Sequence, residues 1–278
     1  MRYDVTGDGV LVEYSGDFSP ELIFECGQCF RWNREQNGDY TGVAFERAAR
    51  IKKTGSGFLI SGGASDFEEI WTRYFDLGRD YEGIRRRIAV DDFSCQAADF
   101  GKGIRILRQD RWEALCSFII SQCNNIPRIK GIIERLCENY GNPLEFEGKT
   151  RYAFPRARVV AGLSKSDLNA LRCGYRDEYI LEAAREAADE GYFSWLEALD
   201  TFSLRKELKK LPGVGNKVAD CVLLFGFGRL EAFPVDVWMR RAVAARYGEE
   251  FDPEKAFGEF SGVAQQYIFH FARQSKIM

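Results

Sequence analysis

The sequence predicts an α+β fold, in which an N-terminal antiparallel β-sheet domain packs on a larger all-helical domain. The chain has 278 residues, which corresponds to about two domains. Up to about residue 65, short β-rich runs alternate with turn signals, and after Gly63 the apolar residues adopt helical spacing. Strands followed by helices are typical of an α+β architecture. We place the sheet domain, with flanking helices, at residues 1–100 and the helical domain at residues 101–278.

Turn-forming residues divide the first part of the chain into strands. Residues 9–14 form a first β-rich run. Asn37 and Gly38 separate two later runs, and an Asn-Gly pair in this position is a strong hairpin signal because both residues tolerate positive φ. A second hairpin is predicted around the Gly-Ser-rich residues 54–57. The runs that flank these turns are 29–32 with 40–45, and 49–52 with 58–61.

Helical patterns occupy the rest of the chain. Ser65 and Glu68 have the spacing of a capping box, in which each side chain satisfies a free amide at a helix start. Two amphipathic stretches follow, with apolar residues at 112, 115, 118 and 119, and at 179, 180, 183, 184 and 187, the latter closed by Gly191.

The composition excludes several classes of protein. Apolar residues make up 45% and charged residues 29%, with 22 Phe, 12 Tyr and 5 Trp available for burial, so a disordered chain is not expected. No apolar run approaches 18 residues, and the start has an early acid and no apolar segment, so we expect neither a membrane span nor a secretory signal. Eight scattered cysteines argue against a disulfide scaffold and favour a reducing, cytoplasmic location.

Positive charge is concentrated in one segment. The chain carries a net charge of −3, but residues 203–246 hold nine Lys/Arg and four acids, a net charge of +5. A basic segment on an acidic chain can mark a binding site for a polyanion. An ordinary solvated helix face is the alternative that charge alone leaves open.

The same segment contains a helix-hairpin-helix pattern at residues 204–226. An amphipathic helix is predicted to end at Leu211, because Pro212 cannot continue it. Gly213 and Gly215 allow a tight turn, and a second helix opens at Asn216. The free N–H groups at that helix start suit an anion such as a phosphate. A plain helical hairpin is the alternative.

Lys217 and Asp236 form the candidate catalytic pair. Lys217 lies at the start of the second helix, and Asp236 follows 19 residues later at a position typical of an N-cap. The helix dipole and partial burial both disfavour a cation at Lys217, which favours the neutral, nucleophilic amine. A neutral lysine can attack electrophilic carbon and form a Schiff base, and a nearby carboxylate can stabilise positive charge on the substrate.

These residues resemble the helix-hairpin-helix, Gly/Pro-Asp superfamily of DNA glycosylases. Within it, the chain is most similar to the family of eukaryotic-type 8-oxoguanine DNA glycosylases, including its bacterial members. The resemblance spans nearly the whole chain. It rests on segments in the family's order at 26–32, 117–129, 173–176, 211–221 with 234–237, and 264–269.

The resemblance implies a bifunctional DNA glycosylase/AP lyase for base excision repair. Lys217 would attack C1′ of the damaged nucleotide, and Asp236 would stabilise the oxocarbenium-like charge. The Schiff base would then allow β-elimination, which nicks the strand 3′ to the lesion. The base must first be flipped out of the duplex.

The resemblance also implies a base pocket. The carbonyl of Gly27 would accept a hydrogen bond from N7–H of 8-oxoguanine, whereas guanine has an acceptor at N7. Phe269 and Cys221 would pack on the two faces of the base, and Gln265 would read its Watson–Crick edge.

Further residues are implied to contact DNA. Arg128 and Arg176 would bond the orphaned cytosine, and Tyr175 would wedge into the base stack. Backbone amides of the hairpin would grip a phosphate. The sequence departs from the family at Cys123, where an asparagine usually fills the gap left by the flipped base, and at Trp238, where animal members have a phosphate-binding histidine. Asn124 could restore the asparagine by a one-residue shift. The hairpin amides are those of Gly213, Gly215 and Val218.

The implied partner is double-stranded DNA containing 8-oxoguanine opposite cytosine, bound by a monomer without a membrane, metal or cofactor. A monovalent cation at the hairpin carbonyls is left open. In a prokaryote the protein would lie in the cytoplasm with the nucleoid. The alternatives are a glycosylase for another lesion, a non-catalytic helix-hairpin-helix protein, and a redox or zinc role for the C-x-x-C pair Cys26 and Cys29.

Overall fold

The N-terminal part forms one antiparallel six-stranded sheet, as predicted, with strand order β1-β2-β6-β5-β4-β3. The computed structural model describes residues 2–13 and 17–274, so Tyr14, in the first predicted run, lies outside the described residues. The edge strand β1 was not predicted. The strands are β1 Tyr3–Thr6, β2 Gly9–Glu13, β3 Trp32–Arg34, β4 Tyr40–Ala44, β5 Arg47–Lys53 and β6 Gly57–Ile60, with a separate hairpin of β7 Pro143–Phe146 and β8 Lys149–Tyr152.

Both predicted hairpins are confirmed. Strands β3 and β4 are joined by the Asn37-Gly38 turn, where Gly38 has a φ of +88°. The amide of Glu35 donates to the carbonyl of Asp39 at 2.8 Å, which closes this turn. Strands β5 and β6 pair with Ile51 opposite Ile60.

Helices make up most of the remaining chain. Among the described residues, no helix is long and apolar enough to cross a membrane. The helices are α1 Pro20–Glu25, α2 Ala64–Asp66, α3 Thr72–Tyr74, α4 Tyr81–Ile88, α5 Asp92–Phe100, α6 Arg111–Ile120, α7 Ile126–Tyr140, α8 Ala157–Ala161, α9 Lys165–Leu168, α10 Arg176–Ala187, α11 Tyr192–Glu197, α12 Thr201–Leu208, α13 Asn216–Phe225, α14 Val237–Tyr247, α15 Pro253–Phe257 and α16 Ser261–Gln274.

Three predicted helix ends are wrong. The capping box at Ser65 does not form, because the helix begins two residues earlier, at Ala64, with Gly63 as N-cap and no side-chain cap. The hydroxyl of Ser65 donates instead to the Glu69 carboxylate at 3.0 Å, and a π-helical turn, Phe67–Trp71, joins α2 to α3. Helix α10 ends at Ala187, and Gly191 is the N-cap of α11. Helix α12 ends at Leu208, three residues before the predicted end at Leu211, because the chain already turns there.

Two buried apolar clusters support this arrangement. The sheet core lies between the sheet and the helical segment 64–74, where Trp32 stacks on Phe24 with ring centroids 4.3 Å apart. The helical core surrounds α6, whose residues from Trp112 to Ile120 are each at most 9% exposed. Helix α6 is therefore buried on all sides rather than amphipathic, and its C-terminal end carries the chain into the candidate site.

The helices α4 and α5 belong to the helical core although they lie within residues 1–100. Tyr81, Ile84 and Ala97 pack into that cluster. The chain therefore leaves the sheet core and joins the helical core before residue 100. The domain boundary at residue 100 stays a prediction.

Replacing Gly42 by alanine should destabilise the sheet core. A Cβ at this position would lie 2.3 Å from the indole of Trp32, whose ring is held by Phe24. Overpacking of this kind costs about 1–3 kcal/mol. Urea unfolding followed by circular dichroism measures the loss. Gly55→Ala is the matched control, because a Cβ there meets nothing within 4 Å. Equal unfolding free energies for the two variants would contradict this account.

Candidate active site

Gly213 and Gly215 have different structural roles in the hairpin. Gly213 has a φ of +78°, and a Cβ there would lie 2.3 Å from the ring of Tyr179, so the turn requires glycine. Gly215 has extended backbone, and a Cβ there would meet nothing within 4 Å. No contact within the protein therefore demands a glycine at Gly215. Its missing side chain leaves the start of α13 open to a ligand.

The start of α13 is a candidate anion site. Gly215 is the N-cap and supplies no side-chain hydrogen bond to the first turn. The amides of Asn216, Lys217 and Val218 open the helix, where N–H groups lack intrahelical acceptors. The side chain of Val218 is buried, so this residue can offer a ligand only its backbone. The helix dipole adds partial positive charge at the same place.

The amine of Lys217 is held by the end of α6. Its Nζ donates to Oγ of Ser121 at 3.3 Å and lies 5.1 Å from the ring centroid of Phe118. The hydroxyl of Ser121 donates in turn to the carbonyl of Phe118 at 2.8 Å. No local pattern marks Ser121 for a role, because only the packing of α6 against α13 brings it to the lysine.

Asp236 caps the next helix, as predicted. Its Oδ1 accepts a hydrogen bond from the amide of Met239 at 2.7 Å. This bond fixes the carboxylate at the start of α14 and orients it relative to the helix axis.

A cavity of about 70 Å³ brings these groups together. The two predicted catalytic residues and the four predicted base-binding residues all line it, although they come from a loop near the N-terminus, α13, the start of α14 and α16. The lining residues are Lys217, Asp236, Gly27, Cys221, Gln265 and Phe269, with Cys26, Phe118, Phe225, Pro234 and Gln266.

The loop after α1 delivers Gly27 to this cavity. Gly27 has a φ of +85°, and a Cβ on it would approach Phe269 to 3.8 Å. The neighbouring carbonyl of Cys26 accepts a hydrogen bond from Nε2 of Gln266 at 2.8 Å, which ties the loop to α16. The sequence analysis missed Gln266, since its role depends on a contact 240 residues away.

Gln265 carries an unpaired acceptor. The residue is buried, and its Oε1 has no hydrogen-bond partner among the described residues. A buried polar atom without a partner costs free energy, so it is retained where a ligand supplies the missing donor. Oε1 of Gln265 is thus available to accept a hydrogen bond from a molecule in the cavity.

The thiol of Cys221 is protonated at neutral pH. Burial raises the pKa of Cys221 to about 11, although the nearby Lys217 amine opposes the shift. The cavity therefore presents Cys221 as a neutral, polarisable surface.

Several predicted DNA contacts lie at the surface. Arg128 is exposed in the first turn of α7, while Tyr175 is 56% and Trp238 50% exposed. Cys123 is exposed with a φ of +47°, a left-handed conformation that asparagine adopts more readily than most residues. Asn124 is turned back to the protein, where Nδ2 donates to the carbonyl of Ile120 at 3.2 Å.

Arg176 is buried in this structure, and its contact with the orphaned cytosine stays a prediction. Its side chain is 2% exposed, and its guanidinium donates to the carbonyls of Gln122, Cys123 and Cys173. The fixed fork of five donors matches these converging carbonyls. In this structure Arg176 therefore supports the loop that carries Cys123, and it stacks under Tyr175 with its guanidinium carbon 4.4 Å from the ring centroid.

The C-x-x-C cysteines lie in different core clusters. Cys26 packs into the helical core and Cys29 into the sheet core, and both are free thiols. Among the described residues, no group of three or more His, Cys, Asp or Glu side chains is arranged to hold a metal ion.

Comparison with known proteins points to one family. The model for the 8-oxoguanine DNA glycosylase N-terminal domain matches residues 10–115, and the model for the HhH-GPD superfamily of base excision DNA repair proteins matches residues 116–262. The chain is 32% identical to a probable N-glycosylase/DNA lyase of Methanothermobacter thermautotrophicus over 73% of this chain and 74% of that protein. It is 28% identical to N-glycosylase/DNA lyase OGG1 of Arabidopsis thaliana over 89% of this chain and 75% of that protein.

A solved structure agrees with these matches. The 8-oxoguanine glycosylase/lyase of Clostridium acetobutylicum, in complex with double-stranded DNA containing cytosine opposite 8-oxoguanine, superposes with a TM-score of 0.93 at 38% identity. The match covers 100% of this chain and 99% of that one.

Two variants of Asp236 should separate its capping role from its charge. Asp236→Ala removes the acceptor for the Met239 amide and should lower the free energy of unfolding by about 1 kcal/mol. Asp236→Asn keeps an equally good cap and should unfold close to the parent chain. Thermal or urea unfolding of the three proteins compares them. Identical stability of Asp236→Ala and Asp236→Asn would show that the cap contributes nothing.

Proposed function

Because the chain belongs to the HhH-GPD superfamily of base excision DNA repair proteins, we propose that it is a bifunctional 8-oxoguanine DNA glycosylase/AP lyase. The observation that carries the proposal is the shared cavity, in which the amine of Lys217, the carboxylate of Asp236 and the unpaired Oε1 of Gln265 meet. The reaction needs a nucleophile, a negative charge that stabilises the sugar cation, and a hydrogen-bond acceptor for the base.

Lys217 is the nucleophile of the proposed reaction. The bond between C1′ and N9 breaks, the base leaves with the electron pair and gains a proton, and a bond forms between C1′ and Nζ. The Asp236 carboxylate stabilises the positive charge that develops on the sugar. Ring opening gives the Schiff base, and loss of the 2′ proton expels the 3′ phosphate and nicks the strand.

The flipped base occupies the cavity in this proposal. The base enters the cavity of about 70 Å³ between Lys217 and Phe269. The carbonyl of Gly27 accepts from N7–H of 8-oxoguanine and so discriminates it from guanine. Gln265 meets the Watson–Crick edge, and Phe269 and Cys221 pack on the two faces.

The rest of the DNA lies over the exposed hairpin surface. The amides of Gly213, Gly215 and Val218 bind a phosphate, which the open N-terminus of α13 supports. Trp238 offers a second phosphate one uncharged N–H donor.

On the opposite strand, Arg128 and Tyr175 are free to reach the orphaned cytosine and the base stack. Cys123 is the favoured residue to fill the gap left by the flipped base. Asn124 is less favoured, because its side-chain amide already donates to the carbonyl of Ile120.

The proposed chemistry uses only side chains and needs no cofactor. The Schiff base formed with Lys217 supplies the electron sink that a cofactor would otherwise provide. A monovalent cation at the hairpin carbonyls remains a prediction, as do a monomeric state and a cytoplasmic location with the nucleoid in a prokaryote.

Lys217→Gln should abolish both base release and strand nicking while binding to lesion DNA persists. The substitution removes the amine that forms the covalent bond but keeps a side chain of similar length. Borohydride trapping on a duplex with one 8-oxoguanine opposite cytosine measures the adduct. Lys209→Gln removes the same charge from the hairpin outside the cavity and should still be trapped.

The trapping experiment also separates the alternatives. Base release without an adduct in the parent chain would indicate a monofunctional glycosylase. Lesion binding with neither adduct nor release would indicate a non-catalytic binding protein. An adduct that persists in Lys217→Gln would place the nucleophile elsewhere.

Arg128→Ala should flatten the preference for cytosine opposite the lesion by about tenfold, because a good arginine–base contact is worth 1–3 kcal/mol of discrimination. Single-turnover release of 8-oxoguanine opposite each of the four bases measures the preference. Arg158→Ala removes another exposed arginine and is the charge-matched control. An unchanged order of the four bases would reject the role given to Arg128.

A further inference from the structure

A second cleft lies at the opposite end of α6 from the proposed active site. It encloses about 410 Å³ between the turn that joins β4 to β5, the N-terminal end of α6, and the loop after β8. Glu113 lines it, eight residues before Ser121, so the helical rise alone separates the two positions by about 12 Å along the axis. The cleft shares no lining residue with the catalytic cavity.

Glu113 places an unpaired carboxylate in this cleft. The residue is 9% exposed, and among the described residues its carboxylate has neither a hydrogen bond nor an ion pair. Burial raises the pKa of Glu113 to about 7, although the positive charge of Arg31 opposes the shift. The guanidinium of Arg31 donates to the carbonyl of Tyr152, and its Nε and Nη1 are buried without a partner, so it does not neutralise Glu113 by a direct contact.

The other charged groups facing the cleft are already engaged. Asp110 caps α6 by accepting from the amide of Glu113 at 2.9 Å, and burial raises the pKa of Asp110. Glu46 pairs with Arg156 at 3.1 Å. Glu113 is therefore the acid lining the cleft whose carboxylate has no direct partner among the described residues.

Aromatic side chains form the walls around this carboxylate. Trp112, Phe45, Phe154 and Phe193 line the cleft, and the indole N–H of Trp112 donates to the carbonyl of Pro155 at 2.9 Å, which fixes its ring. Ring faces attract cations, and apolar rings pack against alkyl chains. The volume lies within the range of about 300–1,000 Å³ found for small-molecule sites.

We propose that this cleft binds a small alkylammonium ion. The ammonium head pairs with the carboxylate of Glu113, and the alkyl chain lies against the aromatic walls. Such a ligand supplies both donors and positive charge to Glu113, whereas an anion would be repelled by the carboxylate and a neutral ligand would leave its charge uncompensated.

Titration of the full, DNA-free protein with butane-1,4-diamine tests the proposal. The ¹H–¹⁵N signal of the Trp112 indole, assigned with Trp112→Phe, should shift and saturate. Butane-1,4-diol has the same length without charge and should produce no saturable shift. Glu113→Gln should weaken diamine binding by at least about tenfold, while Glu249→Gln, at an exposed acid, leaves it unchanged. Equal binding by Glu113→Gln, or saturable binding of the diol, would overturn the proposal.

The pH dependence provides a test that needs no variant. A carboxyl group with a pKa of about 7 is roughly one-tenth ionised at pH 6 and nine-tenths at pH 8, so affinity for the diamine should rise about tenfold across this range. Alkylamines and both arginines stay charged throughout. A flat affinity would reject the role of Glu113 even if Glu113→Gln failed to fold. The proposal is independent of the nicking reaction, so its failure leaves the proposed function untouched.

Discussion

One buried side-chain amide, that of Gln28, joins the two parts of the molecule. Gln28 is fully buried, and its Nε2 donates to the carbonyls of Ile23 and Arg105 at 3.0 and 2.8 Å. Its Oε1 accepts a hydrogen bond from the amide of Leu107 at 2.9 Å. The loop after α1 is therefore hydrogen-bonded to the segment between α5 and α6. Gly27 precedes this anchor directly. The position of the Gly27 carbonyl relative to the helical core therefore depends on buried hydrogen bonds of the neighbouring Gln28.

Residues of the candidate active site are positioned in two different ways. Lys217 and Asp236 stand at helix starts, where capping and packing fix the backbone. Gly27 and the loop that carries Cys123 have positive φ and depend on distant partners, Gln266 and Arg176. The proposed catalytic pair is thus held by secondary structure, whereas Gly27 and the loop that carries Cys123 are held by long-range hydrogen bonds.

Polar atoms without a protein partner contribute to both proposed ligand sites. Oε1 of Gln265 lacks a donor in the catalytic cavity, and the carboxylate of Glu113 lacks one in the cleft at the other end of α6. Oε1 of Gln265 is buried without a partner and carries a desolvation cost, while burial raises the pKa of Glu113 although the charge of Arg31 opposes the shift. Helix α6 lies between them and presents Ser121 to one site and Glu113 to the other.

Local sequence patterns alone determined several turns and helix caps of this protein. The Asn37-Gly38 hairpin, the cap at Asp236 and the hairpin before Lys217 each depend on a few adjacent residues, and they form as the sequence predicts. The start of the helix at Ala64, the end of α12 and the burial of Arg176 do not, because neighbouring turns and converging carbonyls outweigh local preference. Only the tertiary structure brings Gly27 to Phe269 and leaves Gln265 and Glu113 without partners. Such contacts join residues far apart along the chain, and no local pattern encodes which surfaces will meet.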